Sequence, residues 1–239
     1  MIYVQRSDIH KSIPHHFDCS CAMYGAIETD QEFKLISFDE LLSGEYDNKL
    51  RTNLFVGSVE FMREVFDRLK VGDIRVPRNS NRNEEITTLD KVRERVTNGE
   101  VLFTKPSKIK LFTGMIVTKD FLPALNIYDG DTEVYVSKPF DNPILAEYRC
   151  YVNDGEIVDI RSYMGNPSII PDNNFLNRVL LENTDFPVSY TIDVAILKGL
   201  ENVVVEFNDM WAIGNYGIPN DLYLRLLKNR YSEILRTGK

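Results

Sequence analysis

The sequence predicts an α+β protein in which antiparallel β-sheets are flanked by helices. Short apolar runs of strand length, separated by polar turns, recur through most of the chain, and a few segments between them carry apolar residues at helical spacing. The composition agrees with a folded protein, because 43% of the 239 residues are hydrophobic and 11% are aromatic. A chain of this composition can bury a core, so disorder is not expected.

The first 95 residues are predicted to form a small α/β domain. Its strands are expected at 2–4, 33–36 and 54–56. Apolar residues at helical spacing predict a helix over 58–70, with Ser58 as its N-cap and Gly72 just past its end. The polar, turn-rich segment 76–83 is interpreted as a linker or loop.

Residues 96–239 are predicted to form a second domain that is richer in strands. A helix over about 89–96 ends at Asn98-Gly99, where the pattern changes. The short strands that follow are expected at 101–105, 109–112, 115–118 and 133–137. Further helices are predicted at 172–183 and 220–235.

Two β-hairpins are predicted in the second half of this domain. The first joins strands 146–152 and 156–164 through Asn153-Asp154-Gly155, and an Asp-Gly pair between apolar-rich runs is a strong hairpin signal. The second joins strands 190–197 and 202–208 through the turn between them. We therefore expect both hairpins to contribute to an antiparallel sheet.

Charge and composition argue against several classes of function. The chain carries 28 Lys and Arg against 36 Asp and Glu, a net charge of −8, and nucleic-acid binding needs clustered basic residues instead. No apolar run approaches the ~20 residues that span a bilayer, and the N-terminal segment turns polar after Val4, unlike a secretory signal. Three cysteines, an odd number, cannot form a closed set of disulfides. We expect a cytoplasmic protein with no membrane partner.

The second predicted hairpin carries acidic residues suited to a metal ion. If its turn centres between Gly199 and Leu200, Asp193 lies opposite Glu206, and Asn208 lies on the same face two residues further on. Carboxylate and amide oxygens of this kind suit Mg²⁺, with water and phosphates completing its shell. The alternative is a pair of acidic side chains on a solvated surface.

Two further expectations follow for this face of the hairpin. It is expected to hold the apolar residues Ala195, Leu197 and Val204, which would shield it from water. Two carboxylates that face each other without a cation repel. Replacing Asp193 or Glu206 with Asn is therefore expected to leave the metal-free protein equally or slightly more stable.

Basic residues in two other places are candidates for phosphate contact. The first hairpin puts Glu147, Arg149 and Tyr151 on one face, and an Arg side chain can hold phosphate through a planar two-donor fork. A cross-strand ion pair on a solvated surface is the alternative. Lys105 ends an apolar strand, where it can present a point charge, and Lys110 follows nearby. Lysines grouped in this way are more often the solvated edge of a sheet.

Taken in chain order, these pieces resemble an ATP-grasp domain. The segments that carry the resemblance are 101–106 (VLFTKP), 110–114, 147–152 (EYRCYV), Asp193 and 203–209 (VVVEFND). They are most similar to a divergent clade that includes a eukaryotic assembly factor for translation initiation and many bacterial and phage proteins. The resemblance covers about residues 96–239. It implies two α+β lobes whose antiparallel sheets clasp a nucleotide, preceded by the small α/β domain.

The resemblance also implies roles for individual residues. Lys105 and Lys110 would contact the phosphates, and Arg149 would contact the γ-phosphate or a phosphorylated intermediate. Lys105 and Arg149 would be the catalytic residues. The glycine-rich flap that usually covers the phosphates is not evident between Lys105 and Gly114.

The remaining implied ligands are those of the metal and the adenine. Mg²⁺ would be held by Asp193, Glu206 and Asn208. The other nucleotide-binding residues would be Glu147 and the hinge residues Val136, Ser137 and Lys138. The hinge would contact the adenine mainly through backbone groups.

The function that the resemblance implies is an ATP- and Mg²⁺-dependent ligase. It would join a carboxylate to an amine or thiol through an acyl-phosphate, with a peptide or protein among the candidate substrates, and residues 1–95 would select the acceptor. The alternative is an ATP-binding assembly chaperone or scaffold without ligase turnover. Release of ADP in the presence of an acceptor favours the ligase, whereas tight ATP binding without turnover favours the scaffold.

Overall fold

The computed structural model describes residues 1–72, 74, 84–107 and 111–238. In these residues the strands form three sheets, and helices pack against them, which confirms the predicted α+β class. No helix of the described ranges is both long enough and apolar enough to cross a membrane.

The N-terminal sheet is parallel, with strand order β2-β1-β3. Its strands are β1 (Ile2–Gln5), β2 (Phe33–Ile36) and β3 (Leu54–Val56), and its helices are α1 (Phe17–Glu28), α2 (Phe38–Leu42) and α3 (Val59–Leu69). The sequence predicts the three strands and α3, but not α1 and α2. The Ser58 side chain accepts a hydrogen bond from the Phe61 N–H, as an N-cap should, and α3 ends at Lys70 in a left-handed conformation.

The second sheet is antiparallel, with strand order β4-β7-β5-β6. Its strands are β4 (Glu85–Thr88), β5 (Leu102–Pro106), β6 (Met115–Val117) and β7 (Glu133–Ser137), and the helices beside it are α4 (Leu89–Thr97) and α5 (Leu122–Leu125). The helices cover one face and form a hydrophobic cluster with it. The opposite face carries Lys105 and Tyr135, which are register partners. Of the predicted strand 109–112, the first two residues lie outside the described ranges, and Leu111 and Phe112 lie in a bend.

The third sheet is also antiparallel and contains both predicted hairpins. Its strands are β8 (Ile144–Asn153), β9 (Glu156–Gly165), β10 (Ser189–Leu197) and β11 (Asn202–Asp209), in the order β11-β10-β8-β9. Asp154 and Gly155 both have positive φ, at 52° and 78°, as the tight two-residue turn of a hairpin requires. Helix α6 (Asn173–Leu181) packs on one face of this sheet.

A β-bulge in the second hairpin decides which side chains share a face. Val194 pairs with Val204, whereas Asp193 pairs with Glu206, so Val205 is an extra residue in β11. The predicted pairing of Asp193 with Glu206 is therefore confirmed. The predicted position of Val204 is wrong, because the bulge turns it to the opposite face, where it packs in the cluster beneath α6.

The C-terminal helix α7 (Asn220–Thr237) returns to the N-terminal sheet. Its apolar residues belong to the same hydrophobic cluster as β1, β3 and α3, and the helix packs closely on α1. A β-carbon on Gly25 of α1 would lie 2.3 Å from the carbonyl oxygen of Asn220, so this crossing requires glycine. The domain boundary at 95/96 stays a prediction. Because β4 pairs with β7 of the second sheet and α4 packs on that sheet, we propose a boundary before Glu85 instead.

Candidate functional site

The strand order of the third sheet brings three polar side chains into one cross-strand row, with a fourth beside it. Arg149 on β8 lies opposite Asp193 on β10, and Asp193 lies opposite Glu206 on β11. Asn208 follows two residues later on β11, so it shares a face with Glu206. These residues come from separate parts of the sequence, and the β11-β10-β8 order makes them neighbours.

Arg149 and Asp193 form a buried ion pair. Arg149 Nε donates to Asp193 Oδ1 at 2.8 Å, and Nη2 donates to Oδ2 at 2.7 Å, so two parallel bonds hold the carboxylate. Only 5% of Arg149 and 2% of Asp193 is exposed. Burial alone would lower the pKa of Arg149, but the Asp193 carboxylate raises it, so the guanidinium stays charged. Two of the Arg149 donors predicted to bind phosphate, on Nε and Nη2, are thus bonded to the Asp193 carboxylate of the neighbouring strand.

Glu206 pairs with a different cation, which comes from the second sheet. Lys105 Nζ lies 3.1 Å from Glu206 Oε2 and 3.1 Å from Glu84 Oε1, so one ammonium bridges two carboxylates. Asn208 Nδ2 donates to Glu206 Oε1 at 3.1 Å. Burial alone would raise the pKa of Glu206, but Lys105, Asn208 and Arg149 outweigh it and lower this pKa. Glu206 is therefore an ionised carboxylate at neutral pH.

The expected pair of carboxylates without a cation is not what the structure shows, because each carboxylate has its own counter-charge. Burial, with a smaller contribution from Glu206, still raises the pKa of Asp193 to about 6, although Arg149 opposes this shift. Asp193 is neutralised by Arg149, and Glu206 is neutralised by Lys105, whose side chain is only 18% exposed. Lys105 is therefore not part of a solvated sheet edge. Replacing Asp193 would leave a buried cation unpaired rather than relieve repulsion, which reverses the expected effect on stability.

A loop between β11 and α7 covers Arg149. The Gly214 carbonyl accepts hydrogen bonds from Arg149 Nη1 at 3.3 Å and from the Tyr151 hydroxyl at 2.8 Å. The Tyr216 ring lies over the guanidinium, with its centroid 4.5 Å from Cζ. The Asn215 N–H donates to Asp18 Oδ1 at 2.7 Å and so ties the loop to the start of α1.

A cavity of about 610 Å³ opens beside this cluster. Arg149, Glu206 and Asn208 line it from the third sheet, while Phe17 and Asp18 line it from α1. The loop from Ala212 to Gly217 forms the remaining wall. The cavity therefore lies between the polar face of the third sheet and the N-terminal part of the chain.

A second cavity, of about 580 Å³, lies at the end of β7. The predicted hinge residues Val136, Ser137 and Lys138 line it, together with Leu197 and Val203 of the second hairpin. Leu197 and Val203 form an apolar cluster with Ala195. Four residues of strand separate Leu197 from Asp193, which is about 13 Å. The second cavity, which has an apolar patch within a largely polar lining, and the charged cluster thus lie about that far apart along one hairpin.

The structure brings most of the predicted site residues into these two places. The charged cluster contains Lys105, Arg149, Asp193, Glu206 and Asn208, and the second cavity contains Val136, Ser137 and Lys138. Glu147 lies between them, as the register partner of Ala195. Lys110 lies outside the described residues. The roles of all these residues stay predictions.

The donor set at the charged cluster fits a magnesium ion better than a metal that needs a full protein cage. Within the described ranges, no group of three or more His, Cys, Asp and Glu side chains is arranged to hold a metal by itself. Glu206 and Asn208 line the cavity and offer carboxylate and amide oxygens. Mg²⁺ is commonly bound by one or two carboxylates together with the phosphates of its substrate. Asp193 does not line the cavity, because it is enclosed against Arg149.

A charged cluster lies where two antiparallel sheets meet: one sheet contributes a lysine, and the other contributes an arginine and acidic residues. The chain belongs to the ATP-grasp domain family, R-2-K clade family 2, whose model matches residues 80–226. This confirms the resemblance stated from the sequence. A comparison with curated proteins found no match.

Solved structures share the fold at low sequence identity. D-alanine–D-alanine ligase from Bacillus anthracis has a TM-score of 0.55 at 12% identity, covering 100% of this chain and 98% of that chain. N5-carboxyaminoimidazole synthetase from Staphylococcus aureus has a TM-score of 0.54 at 9% identity, covering 96% and 77%. The ATP-grasp ligase PsnB, solved with the precursor peptide PsnA2 and AMPPNP, has a TM-score of 0.50 at 10% identity, covering 96% of each.

Proposed function

We propose that this protein is an ATP- and Mg²⁺-dependent ligase that joins a carboxylate to an amine or thiol through an acyl-phosphate. The observation that carries the proposal is that Arg149, Glu206 and Asn208 line the 610 Å³ cavity, while Lys105 donates to Glu206 from the second sheet. Two cations beside oxygen ligands suit a triphosphate with its metal ion. Membership of the ATP-grasp family supports the same chemistry.

The nucleotide would lie along the second hairpin, with its base in the second cavity. Leu197 and Val203 line this cavity and, packed on Ala195, offer an apolar surface for the base. Ser137 is 4% exposed, and its Oγ has no hydrogen-bond partner among the described residues, so a polar atom of the nucleotide would satisfy it. The phosphates would then reach Lys105 and Arg149, about 13 Å further along the sheet.

Lys105 would exchange one of its carboxylate partners for phosphate. Its ammonium has three N–H donors and forms ion pairs with both Glu84 and Glu206. Glu206 and Asn208 would hold Mg²⁺, which supplies charge neutralisation between the β- and γ-phosphates. Glu206 would then have the metal ion as its counter-charge, which frees Lys105 to hold a phosphate oxygen.

Arg149 would stabilise the transferring phosphoryl group while Asp193 keeps it in place. A carboxylate oxygen of the substrate attacks the γ-phosphorus, the bond to the β-phosphate oxygen breaks, and ADP leaves. The amine then attacks the acyl carbon, loses a proton, and releases inorganic phosphate with formation of the amide. The protein supplies positioning and electrostatics in this scheme, so no protein nucleophile is needed.

The substrates are proposed only as a class. PsnB was solved with a precursor peptide, and D-alanine–D-alanine ligase is named for an amino acid, so carboxylates and amines of both kinds are candidates. The cavity extends to Phe17 and Asp18 of α1, which makes the N-terminal part the candidate for acceptor selection.

The experiment is a screen for ADP release with Mg²⁺-ATP, using libraries of amino acids and of peptides. The proposal predicts ADP release that depends on one carboxylate and one amine and is lost in Arg149→Lys. That variant keeps the charge but loses the fork. Tight ATP binding with no ADP release under any combination contradicts the ligase and favours the ATP-binding scaffold.

A further inference from the structure

Tyr216 has a backbone conformation that its residue type disfavours. Its φ is +46°, in the left-handed region where a β-carbon is crowded, and a bulky side chain there is an outlier. Gly217 next to it also has positive φ, at 90°, and uses glycine as expected. An outlier of this kind beside a functional site indicates that the side chain is needed where it is.

The Tyr216 ring lies between another ring and a cation. Its centroid lies 5.0 Å from that of Tyr163, with the two planes at 17°, and 4.5 Å from Arg149 Cζ. Asn215 fixes the loop, because its N–H donates to Asp18 Oδ1 and its own Oδ1 accepts from the Gly217 N–H at 2.7 Å. Tyr216 is still 47% exposed, so burial of the ring does not account for the strained backbone.

Arg149 has donors left over after its contacts with the described residues. Of its five N–H groups, two are bonded to Asp193 and one to the Gly214 carbonyl. One donor on Nη1 and one on Nη2 remain, and Arg149 lines the 610 Å³ cavity whereas Asp193 does not. The plane of the guanidinium decides whether this remaining pair of donors points into the cavity. Arg149 Cζ lies over the Tyr216 ring, 4.5 Å from the ring centroid, so this ring is a close neighbour of the guanidinium.

We propose that Tyr216 is a positioning residue: by stacking on Arg149, it sets the guanidinium plane so that the remaining Nη1 and Nη2 donors face the terminal phosphate of bound ATP. This inference rests on the proposed function. Asp193 holds one edge of the guanidinium with two short hydrogen bonds, and the Gly214 carbonyl restrains Nη1 through a longer one of 3.3 Å. The Tyr216 ring would limit the remaining tilt about the Asp193 edge. The contact is a cation–π interaction, and a planar guanidinium commonly stacks on an aromatic face.

The test compares Tyr216→Asn with Tyr216→Phe. Asn tolerates positive φ, so the first variant keeps the loop conformation and removes the ring, whereas the second keeps the ring. Tyr24→Leu is the matched control, because Tyr24 has a similar exposure of 51% and lies on the helix α1, where it does not line the 610 Å³ cavity. The affinities for Mg²⁺-ATP and Mg²⁺-ADP are measured by calorimetry, and the Arg149 Nε–H resonance is followed by NMR.

Tyr216→Asn is expected to lower the ratio of ATP to ADP affinity about fivefold, the effect of losing one cation–π contact, while ADP affinity stays unchanged. The Arg149 Nε–H resonance should shift in this variant, because the ring current is lost. Tyr216→Phe and Tyr24→Leu should leave the ratio and the resonance as in the wild type. A merely structural role would lower thermal stability without changing the ratio.

An unchanged ratio in Tyr216→Asn overturns the positioning role, as does an equal loss in Tyr216→Phe. Failure of the proposed function has a different signature: the wild-type protein would then bind neither ATP nor ADP. That result would overturn the role of Tyr216 together with the proposed function.

Discussion

Replacing Asp193 with Asn is expected to destabilise the nucleotide-free protein strongly. The Arg149 guanidinium is 5% exposed and has two of its donors on the Asp193 carboxylate. Removing one partner of a buried ion pair typically costs about 3–5 kcal/mol, because the other charge remains buried without compensation. Asn keeps one acceptor oxygen, so we expect a loss near the lower limit, about 3 kcal/mol. For a chain of this length that corresponds to a fall in Tm of about 6–12 °C.

The same sheet supplies a matched control for this measurement. Arg161 and Asp159 form a fork of similar geometry, with Nε to Oδ1 at 2.7 Å and Nη2 to Oδ2 at 2.8 Å. Their side chains are 37% and 16% exposed, against 6% and 3% for Arg149 and Asp193. Exposed pairs contribute about 0–1 kcal/mol, so Asp159→Asn should be nearly neutral. Urea unfolding and thermal unfolding of both variants give the comparison. Equal stabilities for Asp193→Asn and Asp159→Asn would refute the reasoning.

The other predictions concern the lysine, the metal ligands and the cysteines. Lys105→Met should weaken Mg²⁺-ATP binding at least about tenfold by calorimetry. It should also lower the Tm of the free protein, because Glu84 and Glu206 lose their shared cation. Unchanged affinity would remove Lys105 from the site. Mg²⁺ with ATP should raise the Tm of the wild-type protein more than ATP with a chelator. Glu206→Gln should remove more of this difference than Asn208→Ala, since both residues line the cavity but only Glu206 is charged. The metal site would be contradicted if the wild type showed no difference between the two conditions. Burial raises the pKa of Cys19 and Cys150 to about 12 and that of Cys21 to about 11, so at about pH 8 all three thiols stay protonated and should react with a thiol reagent only after unfolding. Rapid labelling of the native protein at that pH would contradict this burial.

The parts of the fold that the sequence predicts are those set by local patterns. The Asp154-Gly155 turn and the alternation along β8 and β9 fix the first hairpin within a few residues. Helix α3 is predictable because its apolar residues fall on one face and Ser58 caps it. The pairing of Asp193 with Glu206 is also predicted, although the bulge at Val205 is what produces it.

Helix α1 is not predicted from the sequence because it lacks a clear polar face. Its buried residues are small, among them Cys19, Ala22 and Gly25, while the larger Phe17 and Tyr24 are exposed. Small residues are needed there because α7 crosses at close distance. Such a requirement comes from a segment almost two hundred residues away and leaves no local periodicity.

The contacts that the site residues make with one another are not predicted from the sequence, for a related reason. The sequence indicates Arg149 as a phosphate ligand and Asp193 as a metal ligand, but their fork depends on β8 and β10 being neighbours in the sheet. Lys105 and Glu206 likewise meet only because the second and third sheets face each other. The position of Tyr216 depends on a glycine-containing loop with no repeating pattern.

The central claim, transfer of the γ-phosphoryl group to a carboxylate, is tested most directly by isotope transfer. The first carboxylate found to stimulate ADP release is prepared with ¹⁸O in its carboxyl group, and the inorganic phosphate formed with Mg²⁺-ATP and the amine is analysed by mass spectrometry. Attack by that carboxylate on the γ-phosphorus, followed by attack of the amine on the acyl carbon, predicts one ¹⁸O atom in each phosphate released. Phosphate without label, or label recovered in AMP, would contradict the acyl-phosphate route.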